Sequence, residues 1–214
     1  PFKQHRPTRD LLHVSGLLLA GDTLDVFVCH FPSRSGGAKE SESYRLYAAH
    51  ILRMEVDSIM SIRSLPQVII MGDFNDYPTN QSIQKILEAE APPVTTNNLA
   101  STTGSTNFST VAPSSLKLYH LLARKAKSKD FGSYKYRGEW GLLDHLIVSG
   151  TLLNQSNHFF TSEEKANVCL LPFLLKDDEK YGDKEPFRTY KGMKYQGGVS
   201  DHLPIYADFE LILY

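Results

Sequence analysis

The sequence VIIMGDFND at residues 68–76 carries the clearest structural signal in the chain. Its first part is a continuous apolar and largely β-branched run that follows Pro66, which is typical of a short strand covered on both faces. The run ends abruptly at Gly72, where a strand gives way to a loop and polar side chains can project into a cleft. The pattern therefore predicts a buried strand that ends in two candidate site residues, Asp73 and Asn75. A simple Asx turn at a strand end is the alternative explanation of these two residues.

On the N-terminal side of this strand, the sequence predicts a hairpin and a long helix. Residues 11–14 and the alternating sequence TLDVFVCHF at residues 23–31 read as two strands, joined by a turn at Gly21 and Asp22. Residues 44–62 carry apolar side chains at helical spacing with charges on the opposite side, which indicates one amphipathic helix.

On the C-terminal side, LLDHLIVS at residues 142–149 and PIYADFELIL at residues 204–213 are predicted as two further strands. A shorter helix is expected over residues 81–90, followed by a surface loop over residues 91–115 that is rich in Ser, Thr, Asn and Pro. The apolar sequence CLLPFLL at residues 169–175 is predicted as a buried strand, and an exposed membrane-facing segment is the alternative.

Composition and charge narrow the class of protein. The chain has 214 residues, 41% of them hydrophobic, which suits a domain with a sizeable core. Lys and Arg number 23 against 24 Asp and Glu, so the net charge is −1 and no overall cationic field indicates binding to long nucleic acid. Only residues 117–137 are locally basic, with seven Lys or Arg against Asp130, and they form either a solvated face or a phosphate-facing one.

The number of cysteines and the lengths of the apolar runs exclude cysteine-based scaffolds and membrane-spanning helices. The two cysteines, Cys29 and Cys169, are too few for a disulfide scaffold or a four-thiolate zinc site. No apolar run approaches the roughly 20 residues that a membrane-spanning helix needs.

Polar clusters flank the two C-terminal strand signals. Asp144 and His145 open one predicted strand, and Asp201 and His202 directly precede the other. Together with Asp73, these acidic positions at strand ends predict a metal or phosphoryl site if the strands belong to one core.

Four sequences in this order, HFPSRSGG, IIMGDFND, RGEWGLLDHLIVS and GGVSDHLPI, resemble the endonuclease/exonuclease/phosphatase superfamily of deoxyribonuclease-like metal phosphoesterases, in its bacterial hydrolase branch. GDFN and SDHLP together are fairly specific, whereas either alone is weak. The resemblance extends from about Arg9 to the C-terminus. It implies an α/β fold built as a two-sheet αββα sandwich. Residues 1–214 are then expected to form the C-terminal portion of one such domain, with N-terminal strands missing from this chain.

The resemblance implies a role for three acidic or amide side chains. Asp73 matches the aspartate that polarises the attacking water, and Asn75 matches the amide that orients this water or a phosphate oxygen. Asp201 matches a metal-binding carboxylate. The implied cofactor is Mg²⁺ or Mn²⁺, because a divalent cation neutralises the charge that builds up on a phosphoryl group.

The resemblance also implies roles for two histidines. His202 matches the histidine that contacts the scissile phosphate, and Asp144 matches the carboxylate that orients its imidazole. His30 matches the other active-site histidine, a phosphate contact or general acid. A carboxylate beside His202 is expected to raise its pKa and favour the cationic form, which suits a phosphate partner.

The match to the family is incomplete. The family supplies an Asn and a Glu, the latter a principal metal ligand, from segments with no counterpart before Arg9. Glu42 and Glu139 are substitutes by residue type only. We therefore expect the N-terminal portion of the domain, from an upstream segment or another chain, to complete the metal site, and this chain alone to show little activity.

Four side chains near these motifs are predicted to bind substrate: Arg34, Arg137, Trp140 and Arg188. Each also has a structural explanation, as a loop arginine or as an aromatic ring packed under a loop. The expected substrate is a phosphodiester or a phosphomonoester, with nucleic acid as one alternative.

Three functions compete at this point. The first is a Mg²⁺-dependent phosphoesterase that uses attack by water. The second is a binding module that retains the fold without the metal. The third, a serine hydrolase using Ser149 or Ser200, is disfavoured because the sequence has no GxSxG elbow.

Overall fold

The computed structural model describes residues 9–94 and 113–213. Its strands in chain order are β1 (Leu12–Leu17), β2 (Thr23–His30), β3 (Gln67–Asp73), β4 (Leu118–His120), β5 (Tyr134–Tyr136), β6 (Glu139–Gly141), β7 (Asp144–Ser149), β8 (Phe159–Phe160), β9 (Ala166–Val168), β10 (Leu175–Asp177), β11 (Lys184–Pro186), β12 (Tyr190–Lys191), β13 (Lys194–Tyr195), β14 (Ile205–Ala207) and β15 (Glu210–Leu211). The long helix α1 comprises Glu42–Ile62, and shorter helical turns comprise Ser82–Ile86, Lys125–Lys127, Gly150–Leu153, Glu163–Lys165 and Pro172–Leu174. None of the helices in the described ranges has the length and apolar character needed to cross a membrane.

A five-stranded sheet with strand order β1-β2-β3-β7-β4 forms the centre of the fold. β1 and β2 form the predicted antiparallel hairpin, with Leu12 opposite Val28. β2 and β3 run parallel, and α1 lies in the connection between them, because parallel neighbours need a crossover. β7 runs antiparallel to both β3 and β4. The C-terminal ends of β2 and β3 therefore lie beside the N-terminal end of β7, at the same end of the strands in the sheet.

Helix α1 covers one face of this sheet. Its inward side chains Leu52 and Val56 are fully buried and share a core cluster with Phe27 of β2 and Ile70 of β3. Their spacing of four residues puts them on one side of the helix. The predicted amphipathic helix is thus confirmed, beginning two residues earlier than expected.

Short strand pairs cover the other face. β9 pairs with β14, and β8 pairs with β15. Val168 and Leu203 of this layer share a second core cluster with Ile69 and Leu146 of the sheet. Ile69 and Ile70 point to opposite clusters because successive strand residues alternate between faces. The chain is therefore of the α/β class, with a helix layer and two layers of strands, as the resemblance implies.

Gly72 allows β2 and β3 to approach at the point where the site begins. Its φ is 131°, and a Cβ placed there would lie 2.0 Å from the carbonyl oxygen of Cys29. We expect Gly72→Ala to lower the free energy of unfolding by about 1–3 kcal/mol, from backbone strain and from this clash. Urea unfolding measures the change.

Gly16 provides the matched control, since a Cβ on this β1 residue meets no atom within 4 Å. Gly16→Ala is expected to change the free energy of unfolding by at most about 0.5 kcal/mol. Equal effects of the two substitutions would contradict the close-approach explanation.

Two predicted elements are shorter than expected. The predicted helix over residues 81–90 is reduced to the π-helical turn Ser82–Ile86, since Glu88 adopts a φ of 53° that a right-handed helix does not allow. The strand predicted over residues 204–213 is divided into β14 and β15 around Asp208. Of the surface loop predicted over residues 91–115, residues 95–112 lie outside the described part of the chain.

The prediction of a buried strand over residues 169–175 is wrong. Leu170, Leu171 and Phe173 are exposed at 62%, 48% and 63% of their surface. Pro172 begins a 3₁₀ turn there. A proline cannot donate the backbone hydrogen bond that a central strand requires, so a strand begins only after the turn, as β10.

Candidate active site

Three strand ends place three polar side chains in one row. His30, the last residue of β2, lies opposite Asp73, the last residue of β3. Asp73 in turn lies opposite Asp144, the first residue of β7. His30 Nε2 is 3.4 Å from Asp73 Oδ2. Facing positions on neighbouring strands present their side chains on the same side of a sheet, so the row forms one site.

The loop that follows β3 holds Asn75 against Asp73. The Asn75 backbone N–H donates a hydrogen bond to Asp73 Oδ1 over 2.8 Å, and its side-chain amide donates to Asp73 Oδ2 over 3.1 Å. The same amide donates to the Phe31 carbonyl over 3.1 Å. The φ of Asn75 is 50°, a left-handed conformation that asparagine tolerates well. The Asx turn is therefore present, and it also places the Asn75 amide beside the Asp73 carboxylate.

The ring of His202 is fixed by Asp144, as the resemblance predicts. His202 Nδ1 lies 2.7 Å from Asp144 Oδ2, and the Ser133 hydroxyl donates to the same carboxylate oxygen. A carboxylate only accepts hydrogen bonds, so Nδ1 carries the proton and Nε2 is the ring atom left for another partner. Tyr134 packs beside the imidazole, with ring centroids 4.9 Å apart.

The surroundings of the site raise the pKa values of both Asp73 and His202, for different reasons. Burial raises the pKa of Asp73, and the neighbouring Asp144 carboxylate adds to this, against the lowering effects of the Asn75 N–H and of His202 and His30. Burial alone lowers the pKa of His202, but the hydrogen bond and charge of Asp144, with the charge of Asp73, outweigh it, so the pKa is raised. The arrangement thus favours a carboxylate that can accept a proton beside an imidazole that carries one.

The same side chains fit a divalent cation in part. In the described ranges, one group of three side chains, Asp73, Asp144 and His202, brings potential ligand atoms within 4.8 Å of one another. Its two carboxylates are the hard oxygen donors that Mg²⁺ prefers. Asp201 lies outside this group and is exposed. Its charge contributes to raising the pKa values of His202 and Tyr134. Its role as a metal ligand stays a prediction.

Arg34 lies beside the site but is engaged with the loop after β3. Its Nε donates to the Asn75 carbonyl over 2.7 Å, and its Nη2 donates to Asp76 and Asn80. The guanidinium also lies 4.4 Å from the Tyr77 ring centroid. Arg34 therefore stabilises the loop after β3 through these hydrogen bonds. A contact of Arg34 with phosphate stays a prediction.

The other three predicted substrate-binding residues have different surroundings. Trp140 is half-buried and packs against the second core cluster, with Lys135 Nζ 5.7 Å from its ring. Arg137 is exposed in the turn between β5 and β6, at a φ of 53°. The Arg188 guanidinium lies 5.8 Å from the Tyr134 ring, and its buried Nε has no hydrogen-bond partner within the described residues. Arg188 thus connects to His202 through Tyr134.

Sequence reasoning missed a buried polar group behind the site, formed by Arg45, Asp76, His120 and His145. Burial lowers the pKa of His145 to about 4 and that of His120 well below its ordinary value, so both rings are neutral. One signal was available: His145 follows Asp144 in a strand, and alternation puts it on the opposite face. Its partners could not be read from spacing, since they come from distant segments.

Comparison of the sequence with protein families finds one match over nearly the whole chain. The sequence model of the Endonuclease/Exonuclease/phosphatase family matches residues 2–211. No curated protein matches the sequence.

Several solved structures are similar in fold. A mannosyl-6-phosphatase from Bacteroides thetaiotaomicron shares 16% identity over 88% of this chain and 52% of its own, with a TM-score of 0.47. The catalytic domain of human Nocturnin, with a bound sulfate, shares 20% identity over 91% of this chain and 49% of its own, with a TM-score of 0.43. Beta toxin from Staphylococcus aureus shares 15% identity over 92% of this chain and 57% of its own, with a TM-score of 0.47. The chain spans about half the length of the structures that it matches.

Proposed function

This chain belongs to the endonuclease/exonuclease/phosphatase family, and on that premise we propose that it hydrolyses phosphoric esters with a bound divalent metal. The observation that carries the proposal is the pairing of Asp144 with the His202 ring, with Asp73 facing both within 4.8 Å. Asp73 can accept a proton from water, while Asp144 orients the His202 imidazole and stabilises its positive charge. This is the division of tasks that phosphoryl transfer to water needs.

Each side chain has a defined task in the proposed reaction. Asp73, whose pKa is raised by burial, accepts a proton from the attacking water. The Asn75 amide orients this water or a phosphate oxygen. His202, protonated because Asp144 raises its pKa, donates from Nε2 to a phosphate oxygen. His30, half exposed at the end of the row, is a second donor to the phosphate or to the leaving group.

Asp201 is the residue of this chain that would hold Mg²⁺ or Mn²⁺, since Asp73 and Asp144 have other tasks in the proposed reaction. When bound, the cation neutralises the charge that develops on the phosphoryl oxygens. Mg²⁺ takes six oxygen ligands and usually retains several waters. We propose that residues outside this chain provide the rest of the protein ligands.

We further propose that this chain is the C-terminal portion of a single domain and pairs with further strands of it. The support is β1, an outer strand of the described sheet that is exposed along its whole length. Leu12, Val14 and Leu17 on this strand are each more than half exposed. An exposed apolar strand at a sheet edge can hydrogen-bond to another strand, supplied by an upstream segment or by another chain.

The serine hydrolase alternative loses support from the geometry. Ser149 is buried, and its hydroxyl donates to the Pro66 carbonyl. Ser200 Oγ accepts a hydrogen bond from the backbone N–H of His202 rather than from its ring. Neither hydroxyl is placed to give its proton to an imidazole.

The test is chelation of the metal in the full-length protein. We expect hydrolysis of bis-p-nitrophenyl phosphate or p-nitrophenyl phosphate with Mg²⁺ or Mn²⁺, and loss of this activity with EDTA or in Asp201→Ala.

Hydrolysis that survives EDTA would favour the serine hydrolase. Absence of phosphoester hydrolysis in the full-length protein would favour the binding module, and full activity in the 214-residue chain alone would contradict the proposed need for outside ligands.

A further inference from the structure

A chain of three hydrogen bonds runs behind the candidate active site and ends at its loop. The Leu122 backbone N–H donates to His120 Nδ1 over 3.1 Å, and His120 Nε2 contacts His145 Nδ1. His145 Nε2 lies 2.8 Å from the Asp76 carbonyl oxygen. Both imidazoles are fully buried, so water does not compete for any of these atoms. The chain links β4, β7 and the loop after β3.

The direction of every hydrogen bond in this chain is fixed by its two ends. A backbone N–H at Leu122 can only donate, so His120 Nδ1 accepts and His120 Nε2 carries the proton. His145 Nδ1 therefore accepts, and its Nε2–H donates to the Asp76 carbonyl, which can only accept. One neutral tautomer of each ring satisfies all the partners, so the bond to Asp76 has a single geometry.

The Asp76 side chain is held equally firmly. Its Oδ1 accepts from Arg45 Nε over 2.7 Å and from Arg34 Nη2 over 3.3 Å, and its Oδ2 accepts from the Ser82 hydroxyl over 2.7 Å. Arg45 and Asp76 are almost completely buried. A buried carboxylate with three charged or hydroxyl donors is strongly localised. Asp76 is thus bound at its carbonyl and at its carboxylate.

Alternation along β7 connects this buried chain to the site. Asp144 projects into the site and binds His202, while the next residue, His145, projects to the opposite face and binds Asp76. Asp76 directly follows Asn75, whose carbonyl is bound by Arg34. Two consecutive residues of β7, Asp144 and His145, therefore connect His202 with the loop after β3.

We propose that His145 is a positioning residue of the site, which sets the Asn75 amide and the Asp73 carboxylate relative to Asp144 through its hydrogen bond to the Asp76 carbonyl. The inference rests on the proposed function as far as catalysis is concerned. His145 is fully buried and cannot touch substrate, so it acts through the loop. A displacement of about 1 Å in an active-site group can lower a rate by about 10²-fold.

A matched pair of amide substitutions in the full-length protein tests the proposal. The amide nitrogen of His145→Gln can stand near the original Nε2 and donate to Asp76. The shorter side chain of His145→Asn places its amide near the original Nδ1, where it faces His120 instead. We expect His145→Asn to lower kcat for bis-p-nitrophenyl phosphate by about 10²-fold with little change in KM, and His145→Gln to lose less than about 10-fold. His158→Leu, at a side chain 42% exposed beside Asp22, is the control and should leave kcat unchanged.

Hydrogen–deuterium exchange over residues 73–76 gives a second readout that needs no activity. His145→Asn should speed exchange of the Asn75 amide by about 10-fold or more, and His145→Gln should leave it close to the wild-type rate. If the two variants lose kcat equally and exchange at equal rates, the positioning role of His145 is overturned. In that case an active wild type still supports the proposed function. A wild type inactive on phosphoesters removes the proposed function, and exchange alone then decides whether His145 positions the loop. If His145→Asn does not fold, a His145→Gln variant with faster exchange or a 10²-fold loss overturns the proposal.

Discussion

Replacing Asp73 by asparagine is expected to lower kcat for phosphoester hydrolysis by about 10²–10⁴-fold, the usual contribution of a general base. The substitution keeps the size of the side chain and removes the group that accepts a proton from water. Burial raises the pKa of Asp73, which brings its basicity closer to that useful at neutral pH. Binding of substrate depends less on this group than the reaction does, so KM should change little.

Asp57→Asn is the matched control for this substitution. Asp57 lies on α1, is 53% exposed and pairs with Arg53. An exposed pair of this kind contributes little, so kcat and the midpoint of thermal unfolding should stay close to wild type. Steady-state kinetics of the full-length protein with Mg²⁺ measures both variants, and an Asp73→Asn enzyme that keeps more than a tenth of the wild-type kcat would exclude Asp73 as the base.

Asp144→Asn is expected to lower kcat by about 10²–10⁴-fold, because the neutral amide neither fixes the imidazole tautomer nor stabilises its charge. The pKa of His202 should fall at the same time. Burial lowers this pKa, and Asp144 is the leading influence that raises it, so removal of the Asp144 charge lowers the pKa. His202 then loses its proton at a lower pH, and the alkaline limb of the pH–rate profile moves to lower pH.

A ¹H–¹⁵N titration of the histidine rings measures the pKa of His202 directly, alongside the kinetics. Ser133→Ala provides the control, since it removes the hydrogen bond to the Asp144 carboxylate and a longer one from the Asp144 backbone N–H, and leaves the carboxylate charge. We expect this control to lose at most about 10-fold in kcat, the worth of one hydrogen bond to a charged group. An unchanged His202 pKa in Asp144→Asn would show that the pair has no electrostatic role.

Local sequence patterns predicted the elements that position the site. The alternation of β2, the apolar run of β3 and the helical spacing of α1 each reflect burial on one face or on both, and each element appears close to its expected bounds. Pro172 was a local signal that the strand expected over residues 169–175 would fail, but the apolar composition of that segment outweighed it in the prediction. The strand over residues 204–213 failed because its break at Asp208 depends on hydrogen bonds to Thr161 and Lys165, which no local pattern shows.

Local sequence indicates which side chains stand at strand ends, since a change from apolar to polar residues marks where a strand leaves the core. Asp73, Asn75, Asp144 and His202 were identified in this way and by resemblance. The contacts of His145 with the Asp76 carbonyl, and of Arg45 and Arg34 with the Asp76 carboxylate, are evident in the folded structure alone. Those contacts depend on strand register and on the packing of α1, which bring together residues far apart in the chain. A buried polar partner is selected by direction and distance in three dimensions, and residue type and spacing along the sequence do not encode either.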